Sequence, residues 1–219
     1  MARVAIVIDD MGQDVRLLDE IEGLNMPLSV AVLPYQRHSS EIARKARSAG
    51  LDVLLHMPMQ PREKIGGLGQ GALKDGMTEE ELTKTAVADL ASVPGAMGVN
   101  NHMGSGLTEE AAPMRALMGL LNDKGLFFLD SRTSSASVAY KTAQDAGVRA
   151  ATRDVFLDDS NDPADIEKQF QRMVDIARRR GQAVAIGHPR PATLYVLRER
   201  LPGLEKQGIE LVRISELVK

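Results

Sequence analysis

Apolar residues in this chain come in short runs that do not alternate, each followed by a polar cluster and then by helical periodicity. Residues 3–8 (Arg3-Val4-Ala5-Ile6-Val7-Ile8) form the first run. A strand apolar on both faces is expected where both faces are covered, as in a parallel sheet. Similar runs stand at 28–33, 51–55, 96–99, 126–129, 155–157 and 183–186, and a shorter one at 209–212 fits an edge strand or an eighth stave. Helical stretches lie between them. Ser39-Ser40-Glu41 opens one that closes at Gly50, and Thr78-Glu79-Glu80-Glu81 opens another in the manner of a capping box. The stretches 108–124, 165–180 and 192–207 end at Gly125, Gly181 and Gly208, and Pro202-Gly203 breaks or kinks the last. About seven strand–helix units in series, without a hairpin signal, predict an α/β fold with a parallel sheet. Asp9-Asp10-Met11-Gly12 after the first strand lacks a dinucleotide-binding glycine pattern, which favours closure over an open doubly wound sheet. The expectation is one domain over residues 1–219: a parallel (β/α) barrel of about seven strands, a distorted or incomplete TIM-like barrel.

Residues 61–76 break the rhythm. They are Gly-rich and follow a strand, but their glycine spacing matches neither a P-loop nor a Rossmann turn. They read as a long surface loop or as a flap that contacts substrate.

Composition narrows the classes. With 43% hydrophobic and 26% charged residues, a chain of 219 residues buries a sizeable core. A net charge of −3, with signs mixed along the chain, offers no surface for nucleic acid or for polybasic membrane contact. The one basic run, Arg178-Arg179-Arg180, precedes Gly181 and reads as the charged last turn of a helix. The absence of cysteine excludes disulfides and thiolate metal ligands. No stretch has the length of a transmembrane helix.

The candidate chemistry sits where the apolar runs end. Asp9-Asp10, His56, Asn100-Asn101-His102, Asp130-Ser131-Arg132, Asp158-Asp159 and Gly187-His188 all fall there. In a parallel barrel the carboxyl ends of the strands meet on one rim, where such folds build their sites. Singly, each has an ordinary role: a strand-end Asp caps the next helix, and a lone His packs and hydrogen-bonds. Three of four histidines at strand ends beside an Asp pair point to a site. The fourth, His38, stands near a helix start and is expected there or at the surface. Asp10, His56 and His102 are far apart in sequence, so each comes from its own strand. One carboxylate and two neutral imidazoles suit one divalent metal, zinc first, with open positions for water. Adjacent acids on a strand point to different sides, so Asp9 and Asp10 divide into a base near the water and a metal ligand. Met57, Met59 and Met103 are expected to pack around the site.

Several blocks resemble the polysaccharide-deacetylase superfamily. Ile6-Val7-Ile8-Asp9-Asp10 is similar to its first motif, a strand ending in paired aspartates. Residues 49–56, ending in His56, stand where it carries metal-binding histidines. Ala183-Val184-Ala185-Ile186-Gly187-His188-Pro189 resembles its late strand with a catalytic histidine, and residues 201–217 resemble its closing helix and strand. The similarity is closer to the branch of divergent polysaccharide deacetylases. Its recurring blocks look like Leu55-His56-Met57-Pro58-Met59, Gly98-Val99-Asn100-Asn101-His102-Met103-Gly104-Ser105, Phe128-Leu129-Asp130-Ser131-Arg132-Thr133 and Ile186-Gly187-His188-Pro189. Together these span essentially the whole chain. Two features depart from the main family: the second histidine after His56 is absent, with Gln60 near its place and His102 its expected replacement, and the Arg-containing third motif is not recognisable.

The resemblance implies a metal-dependent hydrolase that removes acetyl groups from an N- or O-acetylated sugar or envelope glycan, with Asp9 as base and His188 as acid. Asp130 and Arg132 would orient His188 or the substrate, or form a salt bridge in the rim. Asn100 and Asn101 would bind substrate or satisfy loop backbone. The chain has no Trp and seven aromatics, three Tyr plus four Phe. Tyr35 and Tyr195 are expected to flank the rim, with Phe127, Phe128, Phe156 and Phe170 in the core. That disfavours an extended polysaccharide cleft and leaves a small acetylated sugar or peptidoglycan fragment open. Two rivals remain: a carbohydrate-binding or scaffolding barrel of the envelope without efficient turnover, and a metal-dependent hydrolase of a non-sugar amide. Met1-Ala2-Arg3 leads straight into the first strand, and the resembling family acts on envelope sugars. A longer exported or tethered precursor, periplasmic or envelope-associated, is therefore expected over a cytoplasmic protein.

Overall fold

The computed structural model describes residues 1–63 and 67–219. Along the chain run β1 (Ala2–Met11), α1 (Val15–Glu22), β2 (Ser29–Val32), α2 (Ser39–Ser48), β3 (Asp52–Met59), α3 (Glu79–Ser92), β4 (Gly98–Met103), α4 (Ala111–Asp123), β5 (Phe127–Asp130) and α5 (Ala139–Asp145). They are followed by β6 (Ala150–Thr152), β7 (Val155–Phe156), α6 (Pro163–Arg180), β8 (Gln182–Gly187), α7 (Pro191–Arg200) and β9 (Ile209–Val212). All strand pairs are parallel, in the order β6-β5-β4-β3-β2-β1-β8-β7, with β9 joining the start of β1.

The two ends of that order are one piece of chain. β6 pairs with β5, and two residues later β7 pairs with β8, with Arg153 N donating to Asp130 O and Asp154 N to Val184 O between them. One irregular stave thus touches both edges, and the sheet curls into a distorted (β/α) barrel. The seven main staves are those the apolar runs predict. β6 escapes the pattern because it is three residues long, and α5 because seven residues are too few to show a period. The stretch 108–124 is divided: a 3-10 turn at Leu107–Glu109 precedes α4. A continuous helix would bury Pro113 in its second turn without an N–H to donate, whereas in the first turn of α4 none is needed.

Strands β1, β2, β3, β5 and β8 are buried on both faces, which is why the runs do not alternate. Val4, Ile6 and Ile8 of β1 pack outward under the helices, while Ala5 and Val7 pack inward with Ala31, Leu54, Phe127, Leu129, Val184 and Ile186. Gly98 belongs to the inner face: a Cβ there would collide with the Phe127 ring. Met57 and Met59 lie in the outer layer against helices, not around the site, because they have the opposite parity to His56. Among the described residues no helix is long and apolar enough to cross a membrane.

Residues 61–63 and 67–76 follow β3. Lys64, Ile65 and Gly66 of the expected flap lie outside the described residues. The remainder is tied down at both ends: Gln60 N donates to Leu73 O, Leu73 N donates to Pro58 O, and Gln60 O accepts from Leu107 N.

Candidate metal centre and active site

Inward positions change character toward the strand ends. Along β1 they read Ala5, Val7, Asp9; along β3, Leu54, His56; along β4, Gly98, Asn100, His102; along β8, Val184, Ile186, His188. The polar members therefore gather at the mouth. At β1 the pairing with β2 shifts register between Ile8 and Met11, and Asp10 takes a left-handed φ of 58°. This irregularity corrects the expectation that Asp9 and Asp10 face different sides. It turns Asp10 to the same mouth, and both carboxylates approach His56 Nε2, Asp9 Oδ2 at 3.5 Å and Asp10 Oδ1 at 3.2 Å. Tyr35, Met103 and Arg132 also hold left-handed φ at the ends of β2, β4 and β5. Backbone strain of about 1–3 kcal/mol per residue is thus gathered at the mouth, as is usual for functional sites.

Asp10 Oδ1, His56 Nε2 and His102 Nδ1 form a triangle with sides of 3.2, 3.1 and 3.1 Å. Three atoms each about 2.0–2.1 Å from one zinc-sized ion span such a triangle. The chemistry of the set points the same way. Asp10 Oδ1 is buried without a hydrogen bond of good geometry, despite the two imidazole nitrogens beside it. Three atoms that converge through their lone pairs fit a cation. These three are the one such group among the described residues. Burial pushes the Asp10 carboxyl up, but His102 and His56 outweigh it and hold it far below the usual carboxylate range.

Behind the triangle lies a buried chain of polar groups. Asn100 Nδ2 donates to Asp9 Oδ1 at 2.8 Å, and Asn100 Oδ1 faces His56 Nδ1 at 2.9 Å. A carboxylate only accepts, so the amide orientation is fixed, His56 carries its proton on Nδ1, and Nε2 is left as a ligand. Asp9 is 2% exposed, and burial raises its pKa against the opposing pull of His56, Asn100 and His188.

His188 closes the other side, its Nε2 3.7 Å from Asp10 Oδ2. Asp158 holds it: Oδ1 lies 2.8 Å from His188 Nδ1, while Oδ2 accepts from His188 N at 2.7 Å and Thr193 Oγ1 at 2.6 Å. Burial lowers the His188 pKa, but the hydrogen bond and charge of Asp158 raise it on balance. Asp158 is correspondingly held below its usual range, the bonds from His188 and Thr193 overcoming burial.

The strand-end pattern offers Asp130 and Arg132 for orienting His188 or the substrate, or for a salt bridge in the rim. The structure gives the orienting of His188 to Asp158, and the reason is parity. Asp130 points outward, where its carboxylate accepts from Ser137 Oγ at 2.7 Å and Arg132 N at 2.8 Å, while Arg132 Nη2 donates to Ser135 O at 3.3 Å. Asp158 stood in the strand-end set, but nothing in the sequence separates an inward Asp from a helix-capping one. Asn101, also named for substrate, is buried with both amide atoms spent: Nδ2 donates to Met103 O and Oδ1 accepts from Ser131 N. Asn100 is equally buried, so it orients Asp9 and His56 without touching a ligand. Tyr35 lies on the rim at 37% exposure, beside Asp89. Tyr195 is 54% exposed on α7, and Phe156 is only partly buried, with the Arg153 guanidinium 3.7 Å above its ring. His38 stands at the start of α2, its Nδ1 2.8 Å from Glu41.

A family model described as divergent polysaccharide deacetylase matches residues 6–218. The chain is 41% identical over 216 residues to the uncharacterized protein YibQ of Escherichia coli K12, spanning 99% of this chain and 67% of that one. Among solved structures, an uncharacterized protein from Agrobacterium tumefaciens C58 has a TM-score of 0.92 at 24% identity, over 99% of this chain and 89% of that one. The catalytic domain of a peptidoglycan N-acetylglucosamine deacetylase from Eubacterium rectale has a TM-score of 0.61 at 11% identity, over 97% and 88%. A CE4 family pseudoenzyme from Bacillus anthracis has 0.58 at 15%, over 99% and 65%. At these identities the structural likenesses show a shared fold.

Proposed function

Because the chain belongs to the divergent polysaccharide deacetylase family, we propose that it is a metal-dependent hydrolase that removes acetyl groups from N-acetylated sugar units, and from O-acetylated ones where the geometry admits them. The observation that carries this reading is the arrangement about Asp10. Asp9 and His188 approach one candidate metal triangle, each backed by its own buried partner, Asn100 and Asp158.

Asp10, His56 and His102 would hold the ion, zinc by the nature of the donors. A divalent ion there supplies Lewis acidity and a water of lowered pKa. Asp9 takes a proton from the attacking water, whose oxygen adds to the acetyl carbonyl carbon. His188, protonated with the help of Asp158, gives its Nε2 proton to the amine as the carbon–nitrogen bond breaks. Acetate and a free amine leave. Asn100 keeps Asp9 aimed and His56 in its ligand tautomer throughout.

The test is acetate release from N-acetylglucosamine oligomers and from an activated acetyl ester by zinc-loaded protein. Asp9→Asn should lower the rate by about two to four orders of magnitude with the fold intact. His188→Ala should hurt the amide more than the ester, whose alkoxide departs unaided. Equal rates for wild type and Asp9→Asn would leave a glycan-binding barrel without turnover as the better reading. An acetylated glycan also implies a place in the cell envelope; fractionation that finds the full-length native product in the cytosol would remove that part.

A further inference from the structure

Five arginines of the chain are half-buried. Arg213 pairs with Glu216, and Arg3 lies at the far end of the barrel near Glu216 O. The other three, Arg132, Arg153 and Arg190, follow β5, β6 and β8 on the His188 side of the mouth, and among the described residues none of them forms an ion pair. Six other arginines, at 16, 62, 178, 180, 200 and 213, do.

What holds the three is backbone carbonyl. Arg153 Nε donates to Ser131 O at 2.6 Å and Nη2 to Arg132 O at 2.8 Å, with its plane over the Phe156 ring. Arg190 Nη1 donates to Asp158 O at 2.6 Å. Carbonyls fix the direction of a guanidinium without cancelling its charge, so Arg153 Nη1 and Arg190 Nη2 remain unspent. The positive charge is partly desolvated and crowded. Burial depresses the Arg153 pKa; the charges of Asp159 and Asp130 offset this in part, and the neighbouring Arg132 adds to the depression. Guanidinium N–H groups held in this way are free to pair with an incoming anion.

The anchors tie the cluster to the candidate site. Ser131, which accepts from Arg153, has its Oγ 3.4 Å from the Asn100 amide that holds Asp9. Asp158, which accepts from Arg190, holds His188. The mouth also has few aromatic platforms, so charge pairing is the stronger handle on a sugar.

We propose that Arg153 and Arg190, with Arg132 beside them, bind a carboxylate or phosphate group of the substrate on the His188 side of the scissile bond. The glycan acted on is therefore acidic. The word substrate rests on the deacetylase reading above; the anion subsite does not.

Equilibrium binding tests it without turnover. Zinc-loaded protein is titrated calorimetrically with N-acetylglucosamine, N-acetylmuramic acid and N-acetylglucosamine 6-phosphate. At least one acidic sugar should bind about tenfold tighter than the neutral one, with an advantage that shrinks as salt rises. Which of the two wins separates carboxylate from phosphate. Arg190→Gln, a loop position, should reduce the advantage to about threefold or less, and Arg153→Lys, which keeps charge but loses the fork, should weaken it. Equal binding of all three sugars overturns the proposal. So does an acidic preference that persists in folded Arg190→Gln, since the anion would then be contacting the metal. If acidic sugars bind through these arginines while no acetate is ever released, the deacetylase reading fails and the subsite stands.

Discussion

His56 depends on a residue that never touches a ligand. Asn100 is committed to donate to Asp9, so only its oxygen faces His56. Asn100→Leu removes that lock without removing a ligand and should weaken zinc binding about 10- to 100-fold, measured by competition with a chromogenic chelator. His102→Ala should lose the ion altogether, and full retention there would move the metal elsewhere. The acid–base pair predicts a pH profile. Asp9 must be ionised, and burial has raised its pKa, so the rate rises with pH through a value above the ordinary ~3.9. His188 must be protonated, and Asp158 outweighs burial to raise it, so the rate falls through a value above the ordinary ~6.5. Asp158→Asn should pull the falling limb of kcat/KM to lower pH while leaving the rising limb in place. An unmoved falling limb would take the acid role away from His188. Of this site, Asp9, Asp10, His56, His102 and His188 are legible in the sequence because polar residues interrupt apolar runs there. Asp158 is not, because its worth depends on which way a strand-end side chain points, and the two-residue break between β6 and β7 resets that direction.

At the scale of elements, α3 carries a group that the proposed chemistry leaves unused. Asp89 is 0% exposed and neither carboxylate oxygen has a hydrogen bond of good geometry. Gly71 lies against it with no side chain: a Cβ there would collide with Asp89 Oδ1 and stand 2.8 Å from the Tyr35 ring. Burial pushes the Asp89 carboxyl up to about 7, only partly offset by Tyr35. The sign follows. The folded chain holds this proton more tightly than the unfolded chain, so the stabilisation is complete below about pH 4 and is lost as pH rises through about 7. Asp89→Asn has no proton to lose. It should flatten the decline in urea midpoint between pH 5 and 8 and be more stable than wild type at pH 8 by about 1–3 kcal/mol. A wild-type midpoint that does not fall over that range would mean Asp89 stays ionised and has a partner. The sequence announces where α3 starts, since Thr78 and Glu81 cap each other as their spacing implies. It does not announce Asp89, because an acid on a helix reads as solvent-facing until the loop that covers it is known.

For the whole molecule, the inner face of the barrel is graded from apolar at the strand starts to ionisable at the strand ends, and the two ends answer to different forces. The mouth is held by charge and hydrogen bonds. The floor is closed by the last residues of this chain: Val212, Ile214, Leu217 and Val218 pack against Ala5, Val7, Ala31 and Leu54. Backbone groups fix them there, with Ile214 N donating to Ser29 Oγ at 3.0 Å, Ser215 N to Asp52 Oδ2 at 2.8 Å, and Ala150 N to Lys219 O at 2.8 Å. Leu217 is 1% exposed, so Leu217→Ala leaves a cavity under the barrel and should cost about 2–4 kcal/mol, read as a lower urea midpoint at unchanged slope. Zinc affinity should stay within about threefold of wild type, because the cavity opens at the far end from Asp10, His56 and His102 and the two sites share no partner. A loss of stability below about 0.5 kcal/mol would mean the floor is already loose. A large loss of zinc affinity would mean that the packing of the floor sets the geometry of the mouth, and that the grade from apolar to ionisable is one mechanical unit.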